Sequence, residues 1–191
     1  MKTLSLRLAT LAVGIVLLAV GASGQSPNDA ELSRQLKKLF PSAASFSPKT
    51  GTPAHYKAFG PAAAGQEGEL LGLAYWTTEL EPLERGFDGP IKMLVGLNLA
   101  GEITGVIVTD HREPYGYFSV DLPGWPKQFE GKSIRDAFKV GADVDAISRA
   151  TISVTSASRA IRNASRKVAR AHLAPPAPPP AGAATPAAAA Q

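Results

Sequence analysis

The clearest periodic signal in the chain is an alternation. Ile91, Met93, Val95, Leu97 and Leu99 recur at every second position, the spacing of a half-buried strand. Ala100-Gly101-Glu102 supplies a turn and Ile103–Thr109 (ITGVIVT) returns the chain, so the pattern predicts a β-hairpin. Upstream, Leu70–Thr78 (LLGLAYWTT) reads as another strand and His55–Phe59 as a short one. Helical spacing flanks these strands. Asp29 is placed to cap a helix from Ala30 to Phe40, with Leu32, Leu36 and Leu39 on one stripe and Pro41 ending it. Ser133 begins a predicted short helix, with Asp136 three residues on in near capping-box spacing. From about Ile152 to His172, Val154, Ala157, Ile161, Ala164, Val168 and Ala171 follow steps of three and four, an amphipathic helix. The order implies an α+β fold: one domain, a largely antiparallel sheet packed by helices on one side.

The two ends depart from this pattern. Residues 1–24 carry Lys2 and Arg7, then the apolar run LATLAVGIVLLAV, then small residues at Gly21, Ala22, Ser23 and Gly24. That is the three-part form of a secretory signal peptide, with cleavage expected before Gln25; an uncleaved membrane anchor is the alternative, although the run falls short of the ~20 residues that span a bilayer. Residues 174–191 (APPAPPPAGAATPAAAAQ) are almost wholly Ala and Pro and read as an extended or disordered tail. The folded domain is therefore expected within 25–173. The chain has no cysteine, which removes disulfides, thiolate iron–sulfur clusters, Cys-based zinc sites and c-type haem attachment together. Net charge is +4, two units of which belong to Lys2 and Arg7, too mild a balance to argue for nucleic-acid binding.

Chemistry concentrates just before the last helix. Asp145-Ala146-Ile147-Ser148-Arg149-Ala150-Thr151-Ile152-Ser153 is a run of small and hydroxyl residues at a predicted helix N-terminus. Such a terminus presents unpaired N–H groups and the positive end of the helix dipole, which suit a phosphate. The plainer reading is that Ser148, Thr151 or Ser153 caps the helix. Downstream of the hairpin, His111-Arg112-Glu113-Pro114-Tyr115-Gly116-Tyr117-Phe118 forms an aromatic-rich loop. Trp125, between Gly124 and Pro126, is a turn-held aromatic whose default role is packing. No metal cluster and no nucleophile–base set is evident, so no catalytic residue is assigned. Arg159, Arg162, Arg166, Lys167 and Arg170 read either as a solvated helix face or as a docking surface for an acidic partner or anionic lipid headgroups.

The segment 145–151 resembles the flavinylation motif of the FMN-binding domain family, which includes the RnfG and NqrC subunits of ion-pumping redox complexes and the exported domain of NosR-type proteins. That motif reads Asp-x-x-Ser/Thr-Gly-Ala-Thr. Asp145, Ser148, Ala150 and Thr151 match it; Arg149 stands where the family usually has Gly. Gly there permits a positive φ that Arg adopts only at a cost, while Arg brings a charged donor for a phosphate. The hairpin running into His111-x-Glu113 resembles the same family in the same order, and the resemblance covers roughly residues 36–171. NosR-like members look closest, through His111-Arg112-Glu113-Pro114-Tyr115 and the helix end Leu39-Phe40-Pro41.

The resemblance implies an exported, periplasmic flavoprotein domain carrying covalent FMN on Thr151 through a phosphoester, and relaying electrons to or from membrane-bound redox partners. A separate Mg²⁺-dependent flavin transferase using FAD would attach the group, with Asp145 aiding recognition. Ser148, Arg149, Ala150 and Ser153 would surround the phosphate. Tyr115, Tyr117 and Phe118 would wall the flavin ring, with His111 and Glu113 as polar neighbours. A non-covalent or flavin-free periplasmic adaptor or sensory module of the same fold is the alternative.

Overall fold

A computed structural model describes residues 27–114 and 119–173. The signal-like segment 1–24, the Ala/Pro tail 174–191 and the aromatics Tyr115, Tyr117 and Phe118 lie outside the described residues. Five strands form one antiparallel sheet in sequence order: β1 (Ser45–Phe46), β2 (Tyr56–Phe59), β3 (Leu70–Trp76), β4 (Lys92–Asn98) and β5 (Ile103–Asp110). Four helices accompany it: α1 (Pro27–Leu39), α2 (Thr77–Leu80), α3 (Gly124–Lys127) and α4 (Thr151–His172). The fold is α+β. The β4–β5 hairpin forms as the alternation predicts, pairing Val95 with Val106 and Leu94 with Ile107. Its turn places Gly101 at φ 82° and is closed by the Asn98 N–H donating to the Glu102 carbonyl at 2.9 Å.

The sheet is covered on both faces, which corrects the one-sided arrangement read from the sequence. On one face Leu73, Tyr75, Met93, Val95, Leu97 and Ile103 pack beneath Val154, Ala157, Ile161, Ala164 and Val168 of α4. On the other, Leu36, Leu39 and Phe40 at the end of α1 pack on Tyr56, Ala58, Ala74, Trp76 and Leu94. For that reason β4 is buried from Met93 through Leu97 rather than half-buried. The α1 face is flattened where Phe40 crosses it. A Cβ on Gly72 would stand 2.6 Å from the Phe40 ring, and one on Gly96 would stand 3.1 Å from Leu39. Glycine is what lets the helix end approach the strands.

Other local expectations need adjustment. The strand expected to reach Thr78 stops at Trp76, and Thr77–Leu80 coils into α2 instead. There Thr77 Oγ1 accepts the Met93 N–H at 3.2 Å, tying the turn to β4. Around Ser133 no helix forms. The predicted capping contact is made (the Ser133 N–H donates to Asp136 Oδ2 at 3.0 Å), but it closes a turn. The segment 131–134 runs beside β5 instead: the Ile103 N–H donates to the Lys132 carbonyl and the Gly131 N–H to the Ile103 carbonyl. In α4, Ala171 is exposed, while Ser153, Ser156, Ser158 and Ser165 are buried. Trp125 is buried in α3, its ring edge-on to Phe129 with centroids 5.0 Å apart.

Most basic residues of α4 have partners within the fold. Arg159 pairs with Glu84 at 2.6 Å, and Lys167 bonds both the Leu80 carbonyl and Glu81. Arg166 donates to the carbonyls of Ile134 and Asp136, and Arg162 to that of Ala137. These cations bind α4 to its own surrounding loops. Of the four arginines considered for membrane contact, Arg159, Arg162 and Arg166 are engaged internally, and Arg170 is exposed.

Candidate functional site

The run before α4 folds into a turn that explains its own sequence. The Ala150 N–H donates to the Ile147 carbonyl at 3.1 Å, and Arg149, the third residue of that turn, sits at φ 67°. A positive φ at this turn position favours glycine. The residue that departs from the flavinylation motif therefore takes up the left-handed conformation that a glycine would adopt there. The turn delivers the chain into α4 with Thr151 as first helical residue. The N-cap, Ala150, offers no capping side chain. Neither Ser148, Thr151 nor Ser153 caps the helix, against the plainer reading of the sequence. The first-turn N–H groups of a 22-residue helix are left for another acceptor.

Thr151 is exposed and opens into a cavity of about 260 Å³ lined by Phe87, Pro114, Arg149, Ala150, Ile152 and Ser153. Two large apolar side chains stand out of the protein here. Phe87 is 66% exposed and Ile152 58%. The same cavity thus joins a hydroxyl and a phosphate-accepting backbone to an apolar wall, the combination that the phosphate and ring of FMN require.

Glu113 lies behind this cavity. Its side chain is buried, and its oxygens accept the Phe87 N–H at 2.9 Å, the Asp88 N–H at 3.0 Å and the Ser153 hydroxyl. Gly86 leaves room for it, since a Cβ there would stand 2.4 Å from Oε1. His111 faces elsewhere. Its Nδ1 accepts the Glu113 N–H at 3.1 Å, so the ring's Nε2–H donates to Asp121 Oδ2 at 2.8 Å. It braces the loop and does not line the cavity. Asp145 and Ser148 are exposed and outside the lining; the Asp145 N–H donates to Gln128 Oε1 at 2.7 Å. Of the residues singled out in the sequence, Arg149, Ala150, Thr151 and Ser153 come together at the cavity, with Glu113 behind. Phe87, Ile152 and Pro114 are additions. The signal for Phe87 was local: a bulky aromatic inside the turn Gly86-Phe87-Asp88-Gly89-Pro90, where a buried role is hard to arrange.

The antiparallel sheet, the turn into α4 and this cavity define an α+β domain with a candidate ligand site at the start of its last helix. The family model of the FMN-binding domain matches residues 86–166, and the chain carries that domain. It is similar to the RnfG component of the ion-translocating oxidoreductase complex of Shewanella baltica (strain OS223), 35% identical over 89 residues. That alignment covers 41% of this chain and 42% of the relative, so the match spans less than half of the relative's length. The matched segment holds the β4–β5 hairpin, Phe87, Glu113 and most of α4. Among the described residues, no cluster of His, Cys, Asp or Glu could hold a metal ion. No helix among them is long and apolar enough to cross a membrane.

Proposed function

We propose that this protein is an exported electron-relay module that carries FMN as a phosphoester on Thr151. The supporting observation is the exposed Thr151 hydroxyl at the uncapped start of α4, opening into a cavity with an apolar wall. Attachment fits this chain as a substrate of a separate Mg²⁺-dependent transferase. In that transfer the Thr151 oxygen would attack the FMN phosphorus of FAD, the pyrophosphate P–O bond would break with AMP as leaving group, and the hydroxyl proton would pass to a base of the transferase or to solvent. Asp145 and Ser148, exposed beside the turn, are available for the transferase to recognise. The first-turn amides of Thr151, Ile152 and Ser153 would hold the phosphate, and Arg149, which lines the same cavity, would supply a charged donor to it. Phe87 and Ile152 would give the ring an apolar wall against water. The flavin supplies one- and two-electron chemistry; the protein binds, orients and tunes it.

The relative's name associates it with an ion-translocating oxidoreductase complex. A membrane-bound redox partner for this chain is inferred from that kinship, and export from the signal-like segment 1–24. Likeness to the NosR-type branch rests on His111-x-Glu113-Pro114-Tyr115. A covalent bond suits a compartment where free flavin is scarce, because the cofactor cannot be lost by dissociation.

Intact mass of protein from a transferase-competent, exporting host tests both statements. The expected product begins at Gln25 and bears one FMN less water, and Thr151→Ala lacks the flavin increment while retaining its circular dichroism spectrum. Wild-type protein at unmodified mass would overturn covalent attachment. Flavin released on denaturation would favour the non-covalent module of the same fold.

A further inference from the structure

We propose that Glu113 is a positioning residue: its buried carboxylate staples the Phe87 loop to the first turn of α4 and sets the redox potential of the flavin site. The inference rests on the reading of Thr151 as the flavin anchor for its redox part; its structural part stands without flavin. The carboxylate joins two elements far apart in sequence. Two successive loop amides, of Phe87 and Asp88, donate to it from one side, and the Ser153 hydroxyl donates from the helix on the other. Glu113 is 6% exposed, and among the described residues no Lys or Arg lies within 4.0 Å of it. Its direct partners are therefore N–H and O–H dipoles.

That arrangement has two consequences. Mechanically, Phe87 is largely exposed and has little packing to hold it, so its place at the cavity depends on the backbone bonds to Glu113. Gly86 lets the loop lie against the carboxylate, and the Gly86 N–H closes the loop on the Gly89 carbonyl at 2.7 Å. Electrostatically, a fixed negative charge behind the cavity opposes added electrons on a ring seated in it and so lowers the reduction potential. Neutralising the carboxylate should raise that potential.

Glu113→Gln keeps the size of the side chain but turns an N–H₂ group toward one of the loop amides. In the unmodified protein, hydrogen exchange at Phe87 and Asp88 is expected to speed up by about tenfold or more, with exchange in β4 unchanged. Unchanged exchange at both amides overturns the staple whether or not flavin is ever attached. Ser153→Ala is the second variant, should Glu113→Gln fail to fold. It leaves the charge in place, removes only the helix-side bond, and is expected to loosen the same loop by less. In flavinylated protein, Glu113→Gln, which removes the charge, is expected to shift the midpoint potential positive by more than Ser153→Ala, which keeps it. An unshifted potential in Glu113→Gln overturns the tuning role. Wild-type protein that never gains flavin defeats the Thr151 reading instead, an outcome that mass alone distinguishes.

Discussion

Arg149 holds a backbone angle that its side chain disfavours. A left-handed φ of 67° costs a non-glycine residue roughly 1 kcal/mol, and more for a β-branched one. The turn at Ile147–Ala150 imposes it, because the chain must pivot there to start α4. Arg149→Gly is therefore expected to be as stable as the parent or up to about 1 kcal/mol more stable, and Arg149→Val less stable by at least about 1 kcal/mol. Urea denaturation orders the three; Val above Gly would mean that the turn relaxes freely. Gly86 is constrained in the opposite sense, by contact. Because Glu113 is gripped by three donors it cannot swing away from a new methyl group 2.4 Å from Oε1. Gly86→Ala should cost about 1–3 kcal/mol in the same measurement.

Between elements, the principal joint is α4 on the sheet, and it contains a buried polar link. The Tyr75 hydroxyl donates to Ser165 Oγ at 2.7 Å, and Ser165 donates in turn to the Ile161 carbonyl at 2.6 Å. Burial pushes the Tyr75 phenol well above its ordinary pKa, although Ser165 offsets part of the rise. Tyr75→Phe leaves Ser165 its own acceptor, so no donor is stranded and the loss should be only about 1 kcal/mol by thermal or urea unfolding. A loss several times larger would point to a cavity rather than to a missing bond. Such joints also mark what the sequence reveals and what it hides. The β4–β5 hairpin was legible because five alternating apolar residues and a Gly-containing turn agree. The stripe from Val154 to Val168 was legible for the same reason. Ser153, Ser156, Ser158 and Ser165 were not, since a hydrophobic pattern counts serine as polar. Their burial is possible because each hydroxyl has an acceptor: Ser158 and Ser165 bond carbonyls one turn back, at 2.6 Å each, Ser153 bonds Glu113 and Ser156 bonds Glu84. The second covered face of the sheet was hidden too, because β4 alternates by strand rules while α1 supplies only Leu36, Leu39 and Phe40 to cover it. At the candidate site, a short motif singles out Thr151 and the fold sets it on the cavity rim, whereas Phe87 carries only the local signal of an aromatic in a Gly-rich turn and the fold brings it to the same cavity.

Across the whole molecule, α4 connects two dissimilar ends. Its start frames the cavity at Thr151, and its end meets the segment before β2, where the His172 and His55 rings lie with centroids 4.2 Å apart. His55 is buried, and its Nδ1 lies 2.9 Å from the Pro53 carbonyl. The His172 pKa is lowered by burial and by the positive charges His55 and Lys57 present, against a smaller raising effect of the Pro53 carbonyl. The native state therefore prefers neutral His172 more than the unfolded chain does. Above the ordinary histidine pKa of 6.5 both states are neutral and nothing is lost. As pH falls through 6.5, the unfolded chain takes up the proton first, and stability declines until the native ring also protonates at its lowered pKa. His172 is itself exposed, so solvent screens the effect and the decline should be shallow, about a few degrees in melting temperature at most. Melting curves at about pH 7.5 and about pH 5.5 should show a steeper drop for the wild type than for His172→Gln. Equal drops would locate the acid sensitivity elsewhere in the chain. The decline should also begin at the far end of α4: hydrogen exchange at its last turn should rise on acidification before exchange at the Thr151 turn does, because the His55–His172 contact holds only that end.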